Sequence, residues 1–401
     1  MVRANLLATK FHLPYRPAQW VPRPLLNQRL QEGLKRNRPL TLVSAPAGFG
    51  KTTAISAWVH TLEMPVTWLS LDAGDDDPGR FFTYLIAALQ MVDAGLGAEV
   101  EAVFSGGQLP PAEVFSAMLS NDMAAASDRF LLVLDDFHVI QDPIILKVLE
   151  TLIANPPPSL RLAIITREDP PLPLARLRAN NRLTEIRAQD LRFTGQDTAL
   201  FLEGLGLSLS LKDIAALEEK TEGWIAGLQL AAIALQSAST GPVDASPSDF
   251  IAELSGSHRF ILSYLTEQVL DQQPKEVRQF LLQTAVLDRL HGDLCDAVTG
   301  RADSRVLLER LFKANLFLIP LDDIGQWYRY HHLFADLLRD RQQVLLGEET
   351  GVLHQRASRW YAQEDMINEA VRHALAAADY DTAVALLESH AMGLIMQGHV
   401  K

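Results

Sequence analysis

The sequence predicts an α/β fold in which a parallel sheet, carrying a phosphate-type loop, is followed by a helical second half. Three observations predict it. Short apolar runs alternate with amphipathic stretches between Pro39 and Thr194, a Gly-rich turn joins the first run to a helical pattern, and beyond Thr194 apolar residues recur at helical spacing.

The apolar runs are Leu40 to Ser44, Val66 to Leu71, Phe130 to Leu134, Leu162 to Thr166 and Leu183 to Arg187. Runs of about five residues between helical patterns read as buried parallel strands. Asp77-Pro78 supplies an N-cap and a first-turn proline for a helix through Gln90. These elements define an α/β domain over 39–194, preceded by a lead-in over 1–38. Gln196 to Gly204 and Leu211 to Gln236, broken at Gly223, predict a small helical domain over 195–245. The stretch Ser237 to Asp249, rich in Ser, Pro, Gly and Asp, reads as the linker that ends it. Amphipathic helices then lead to Phe317–Pro320 and Trp327–Tyr330, two short strands around Asp322-Asp323-Ile324-Gly325. Helices followed by a hairpin predict a winged-helix domain over 246–345. Over 346–401 a helix-turn-helix pattern, with Ala370, Ala374, Ala377 and Ala383 where helices pack closely, predicts the start of a TPR-like repeat.

Composition narrows the function. With 401 residues, 48% hydrophobic and 21% charged, the chain is of the soluble globular type and long enough for two to four domains. Its lone Cys295 excludes a disulfide framework and predicts a cytoplasmic location. Pro14 and Pro17 interrupt an N-terminus without an apolar core, so no signal peptide is expected. The longest apolar stretch, Ile225 to Leu235, is about half the roughly 20 residues of a membrane span, so no membrane partner is expected. A net charge of −13 makes the chain itself a poor nucleic-acid binder. Residues 1–40 are the exception, with eight Lys and Arg against Glu32 alone; their Pro and Trp content predicts a packed lead-in rather than a basic tail.

The chemistry concentrates at strand ends. Ala45-Pro-Ala-Gly-Phe-Gly-Lys-Thr52 lies between the strand LTLVS and the helix TTAISAWVHTL. In such a P-loop the backbone N–H groups from Ala47 to Gly50, together with Thr53 in the first helical turn, surround phosphates. Lys51 reaches the β and γ oxygens, and Thr52 binds Mg2+. Gly48 and Gly50 leave room for the anion. Ala45 stands where the usual pattern begins with glycine. A second motif, Phe130-Leu-Leu-Val-Leu-Asp135-Asp136, is an apolar strand ending in two carboxylates. Asp135 would hold Mg2+ through water, and Asp136 would polarise an attacking water. Arg167, ending the run LAIIT, could reach the γ-phosphate. A ligand-free Gly turn and a pair of capping aspartates are the plain alternatives; the agreement of strand, loop and helix favours nucleotide. Cys295 reads as a buried small residue, and His331-His332 lacks partners at zinc spacing.

At these motifs the chain resembles a known family. LLATKFHLPYRPAQWVPRPLL, SAPAGFGKTT, WLSLDAGDDDPGRFFTYLIAAL, LLVLDDFH, IITRE, LRFT, TEGWIAGLQLAAI and RYHHLFADLLR, in this order, are similar to the MalT-like family of LuxR-type regulators, which are STAND ATPases. The resemblance covers about residues 6 to 400. It implies a nucleotide-binding domain, helical lid, winged helix, superhelical sensor and DNA-binding C-terminal domain. ADP would keep such a protein closed and monomeric, and ATP with an inducer would open it for self-association. By resemblance, Val21 and Arg23 contact adenine, Lys51, Thr52, Asp135, Asp136 and Arg167 serve the phosphates and Mg2+, and His331 touches the ADP β-phosphate. Gly223-Trp-Ile-Ala-Gly227 takes the place of a Gly-x-Pro lid motif but lacks its proline. By the same resemblance, the sensor repeats that would meet a small-molecule or protein inducer, and the DNA-binding domain, are expected to be absent from these 401 residues. The function expected is a slow regulatory ATPase switch. A nonhydrolytic scaffold stabilised by nucleotide and a P-loop small-molecule kinase are the alternatives.

Overall fold

The structure, a computed structural model, describes all residues except 1–5, 16–19, 105–109, 127, 240–246, 257, 323, 348 and 397–401. Five strands, β1 (Leu40–Ser44), β2 (Val66–Ser70), β3 (Phe130–Asp135), β4 (Leu160–Thr166) and β5 (Leu183–Arg187), form a parallel sheet in the order β2-β3-β4-β1-β5. Every residue of β1, β3 and β4 is buried. Covered on both faces, these strands have no solvent side to mark with alternating polar residues, hence their mostly apolar runs. The register sets Ser44 beside Thr166 and Arg187, and Ser70 beside Asp135, so the C-terminal ends share one edge. β4 enters between β1 and β3, an order that strand sequence alone does not reveal.

Helix Pro78–Leu89 starts at Asp77, whose carboxylate accepts from the Arg80 N–H at 2.8 Å, with Pro78 in its first turn. It buries Phe81, Phe82, Leu85 and Leu89, each contributing about 2–3 kcal/mol by removal from water. Phe82 meets Phe115 of helix Ala112–Ala124 at 4.1 Å between ring centroids. The described part of the basic lead-in packs at Lys10; Arg3 and Arg16 lie outside the described residues. Lys10 pairs with the fully buried Asp75 and, at 2.7 Å, with Asp72, and its ammonium lies 4.6 Å from the centre of the Tyr84 ring.

The chain divides into two units, residues 1–208 with 223–226, and residues 209–222 with 227–401. The first holds the sheet. In the second, helices Lys275–Thr284, Gly292–Thr299 and Ser304–Lys313 precede an antiparallel hairpin of β6 (Leu318–Pro320) and β7 (Tyr328–Tyr330). Asp322 shapes the turn by accepting from the Gln326 and Trp327 N–H groups; Asp323 lies outside the described residues. Buried Tyr330 bonds the Thr284 hydroxyl at 2.7 Å and so ties hairpin to helix. Cys295 is buried in helix Gly292–Thr299, and burial raises its thiol pKa.

Helices Glu349–Gln363, Ile367–Ala376 and Tyr380–Met396 follow. Ala370, Ala374 and Ala383 are buried at the helix contacts, whereas Ala377 is the half-buried C-cap of its helix. The expected linker is narrower than its composition suggests. Ser237–Ser239 continue helix Ile225–Ser239, and Pro247 opens helix Pro247–Glu253 because proline suits a first helical turn. Its centre, 240–246, lies outside the described residues. Among the described residues, no helix is long and apolar enough to cross a membrane.

Candidate functional site

β1 ends at Ser44 and the chain turns through Ala45–Gly50 into helix Lys51–Val59. Gly48 and Gly50 hold φ of 77° and 71°, a left-handed backbone that makes the loop depend on glycine. The Lys51 ammonium is buried and donates to the carbonyls of Ala45 at 2.7 Å and Pro46 at 2.8 Å. Burial, with Arg167 nearby, pushes its pKa down to about 8 against the pull of Asp136 and Asp135. A desolvated cation held over a loop of this shape is set to meet an anion.

The two carboxylates come to the same edge. Thr52 Oγ1 donates to Asp135 Oδ1 at 3.1 Å, which joins the start of the helix to the end of β3. Asp135 also accepts from the Asp136 N–H at 2.9 Å. Burial, reinforced by Asp136, pushes Asp135 up to about 6 even though Thr52 opposes this. Asp136 has φ of 56°, and its side chain is about half exposed at 49%, open to water where that of Asp135 is closed. A hydroxyl and adjacent carboxylate oxygens form the hard donor set that Mg2+ takes, so the residues present fit that ion. Arg167 follows β4, and its charge reaches both Lys51 and His138, whose pKa burial and that charge lower to about 4. A cleft of about 290 Å3 opens beside them, lined in part by His138, Gln141, Thr166, Glu168 and Asp169.

Lys51, Thr52, Asp135, Asp136 and Arg167 therefore lie near one another at this sheet edge. Among the remaining expected residues, Ala47 and Phe49 are buried within the loop, and Thr53 is exposed one residue past Thr52. Val21 is buried. The guanidinium of Arg23 is occupied within the first unit. It donates to the carbonyls of Leu191 at 2.9 Å, Asp190 at 3.0 Å and Arg192 at 2.9 Å, capping helix Ala188–Leu191, and stacks near Phe193. His331 lies in the second unit, buried, with Nε2 2.9 Å from the Thr221 carbonyl. Beside it, Arg329 donates twice to Glu222, at 2.8 and 2.9 Å.

Two groups of residues escaped the sequence reading. Ser44 Oγ donates to Asp169 at 2.8 Å, and Arg187 also pairs with Asp169, a network across the ends of β1, β4 and β5. An arginine closing an apolar strand was its only sequence signal. Trp224 and Ala226 bond the P-loop itself: the indole Nε1–H donates to the Ala47 carbonyl and the Ala226 N–H to the Gly48 carbonyl, both at 3.0 Å. The motif GWIAG was visible, but nothing local ties it to a loop so distant in sequence.

Residues 266–350 match the MalT winged helix domain. The HTH-type transcriptional regulator MalT of Cronobacter sakazakii (strain ATCC BAA-894) is 34% identical over 390 residues, 97% of this chain and 42% of the relative. MalT of Klebsiella pneumoniae (strain 342) is 33% identical over the same shares. The chain thus spans less than half the length of these relatives. Among solved structures, the Walker-type ATPase PABY2304 of Pyrococcus abyssi is similar in fold, with a TM-score of 0.53 and 18% identity over 81% of this chain and 97% of that one.

Proposed function

We propose that this chain, which belongs to the MalT family along the portion it spans, is the ATP- and ADP-binding switch module of a transcriptional regulator, reset by slow hydrolysis of ATP. The observation that carries this reading is the convergence of the buried Lys51 ammonium, Thr52 and the Asp135–Asp136 pair on one sheet edge. Lys51 would leave the loop carbonyls for the β and γ oxygens, and inward-facing loop amides would bind the same phosphates. Thr52 and Asp135 would hold Mg2+, which supplies charge neutralisation between the phosphates. Asp136, open to water, would orient the attacking water, and Arg167 would stabilise charge on the γ-phosphate. Val21 would border the adenine through its backbone, with Arg23 fixing that segment.

The domain organisation proposed is a lead-in over 1–38, the nucleotide-binding domain over 39–194, a helical lid over 195–245, a winged helix over 246–345 and a TPR-like start over 346–401. The winged-helix match runs past that last boundary to residue 350. ADP would favour a closed form and ATP an open, self-associating one, each by its differential affinity. Binding of an inducer and of DNA would belong to the longer regulator, working in the cytoplasm.

Calorimetric titration with ADP and with ATP and Mg2+, paired with phosphate release, tests the proposal. Both nucleotides are expected to bind, with turnover below about one per minute, far under the roughly 1–100 per second of kinases. Absence of binding by either nucleotide would overturn the reading, and binding without any hydrolysis would reduce it to a scaffold.

A further inference from the structure

Four consecutive carbonyls of the P-loop, from Ala45 to Gly48, each have a donor. Those of Ala45 and Pro46 accept from Lys51. That of Ala47 accepts from the Trp224 indole, and that of Gly48 from the Ala226 main chain. Between the two donors, Ile225 packs on Gly50 so closely that a Cβ there would lie 2.7 Å from its Cδ1. Three consecutive residues thus grip the loop. Trp224 is fully buried, and Ala226 stands in the first turn of helix Ile225–Ser239, where a main-chain N–H has no partner within its own helix.

A planar trans peptide points its C=O and N–H in opposite directions. Fixing the Ala47 carbonyl therefore aims the Gly48 N–H, and fixing the Gly48 carbonyl aims the Phe49 N–H. Lys51 can do this for the earlier part of the loop only until it turns to an anion, whereas Trp224 and Ala226 have no charge to surrender.

We propose that Trp224 is a positioning residue of the phosphate loop, which with the Ala226 N–H holds two peptide planes so that the Gly48 and Phe49 amides face bound phosphates. This rests on the nucleotide-binding reading above. Trp224 touches no phosphate; it acts through the loop.

The test compares ADP, ATP and adenosine affinities of the full chain carrying Trp224→Phe, which keeps an aromatic ring but removes the N–H. ADP and ATP affinity are expected to fall about tenfold, the loss that follows from one misaimed hydrogen bond to a charged group. Adenosine affinity should be unchanged, because adenosine has no phosphate. Trp360→Phe, in helix Glu349–Gln363, should bind ADP like the wild type. Should Trp224→Phe fail to fold, Ala226→Pro removes the second donor at a helix position that tolerates proline, and the same phosphate-selective loss is expected. Unchanged ADP affinity in a folded variant, or equal losses for ADP and adenosine, would overturn the proposal. Wild-type protein that binds no ADP would instead overturn the underlying nucleotide reading, and the proposal with it.

Discussion

Replacing Lys51 with methionine should separate function from stability. The ammonium is buried, and lowering of its pKa from 10.5 to about 8 corresponds to about 3 kcal/mol against the charged form. Removing the charge relieves that cost. It also leaves the Ala45 and Pro46 carbonyls without their donor, at about 1–3 kcal/mol each. These effects oppose each other and leave a net change between a gain of about 1 and a loss of about 3 kcal/mol, so Tm should fall by no more than about ten degrees. With nucleotide present there is no such balance. Two lost charge-assisted hydrogen bonds at about 1.5–3 kcal/mol each predict a loss in ADP affinity of roughly 10²- to 10⁴-fold. Calorimetry at pH 7, with thermal unfolding of the same sample, measures both. A folded Lys51→Met protein that binds ADP within about fivefold of the wild type would refute the assignment of Lys51 to the phosphates.

Three further outcomes are expected. Asp136→Ala should retain ATP but hydrolyse it about a hundredfold more slowly in single-turnover measurements, as for loss of a group that positions the reacting water; an unaltered rate would remove Asp136 from the reaction. Burial works against the Glu222 carboxylate, but the Arg329 bonds, the His331 charge and the His332 N–H hold it at about 2, below its ordinary 4.5. Stability from this group is therefore complete above pH 4.5 and is lost as the pH falls toward 2, up to about 3 kcal/mol. Urea unfolding of the unit that holds it should show a smaller acid loss in Glu222→Gln, and equal losses would assign the effect elsewhere. Gly223→Ala should cost more than about 2 kcal/mol, because φ is +70° and the new Cβ would lie 2.4 Å from the Phe193 carbonyl oxygen. Thermal unfolding checks this, and an unshifted Tm would contradict it.

Elements set by local chemistry were legible from the residues. β1, β3 and β4 announced themselves because burial on both faces favours apolar side chains along most of each strand, and Pro78 and Asp77 marked a helix start through their own backbone and carboxylate. The wing hairpin was legible too, since Asp322 shapes its turn within a few residues. The linker was read too broadly, because composition around Ser237 and Pro247 reports turn preference while neighbouring helical turns decide where a helix stops.

The sequence by itself determined the site's chemical inventory: a glycine loop with Lys51 and Thr52, paired carboxylates after an apolar strand, and an arginine after another. Only the tertiary structure decided how these meet. The insertion of β4 between β1 and β3 depends on pairing energies spread over whole strands. The use of Arg23 as a cap on three carbonyls, and of Trp224 as a clamp on the P-loop, depends on backbone groups. Every residue presents the same carbonyl, so the sequence carries no mark of which one a distant donor will find.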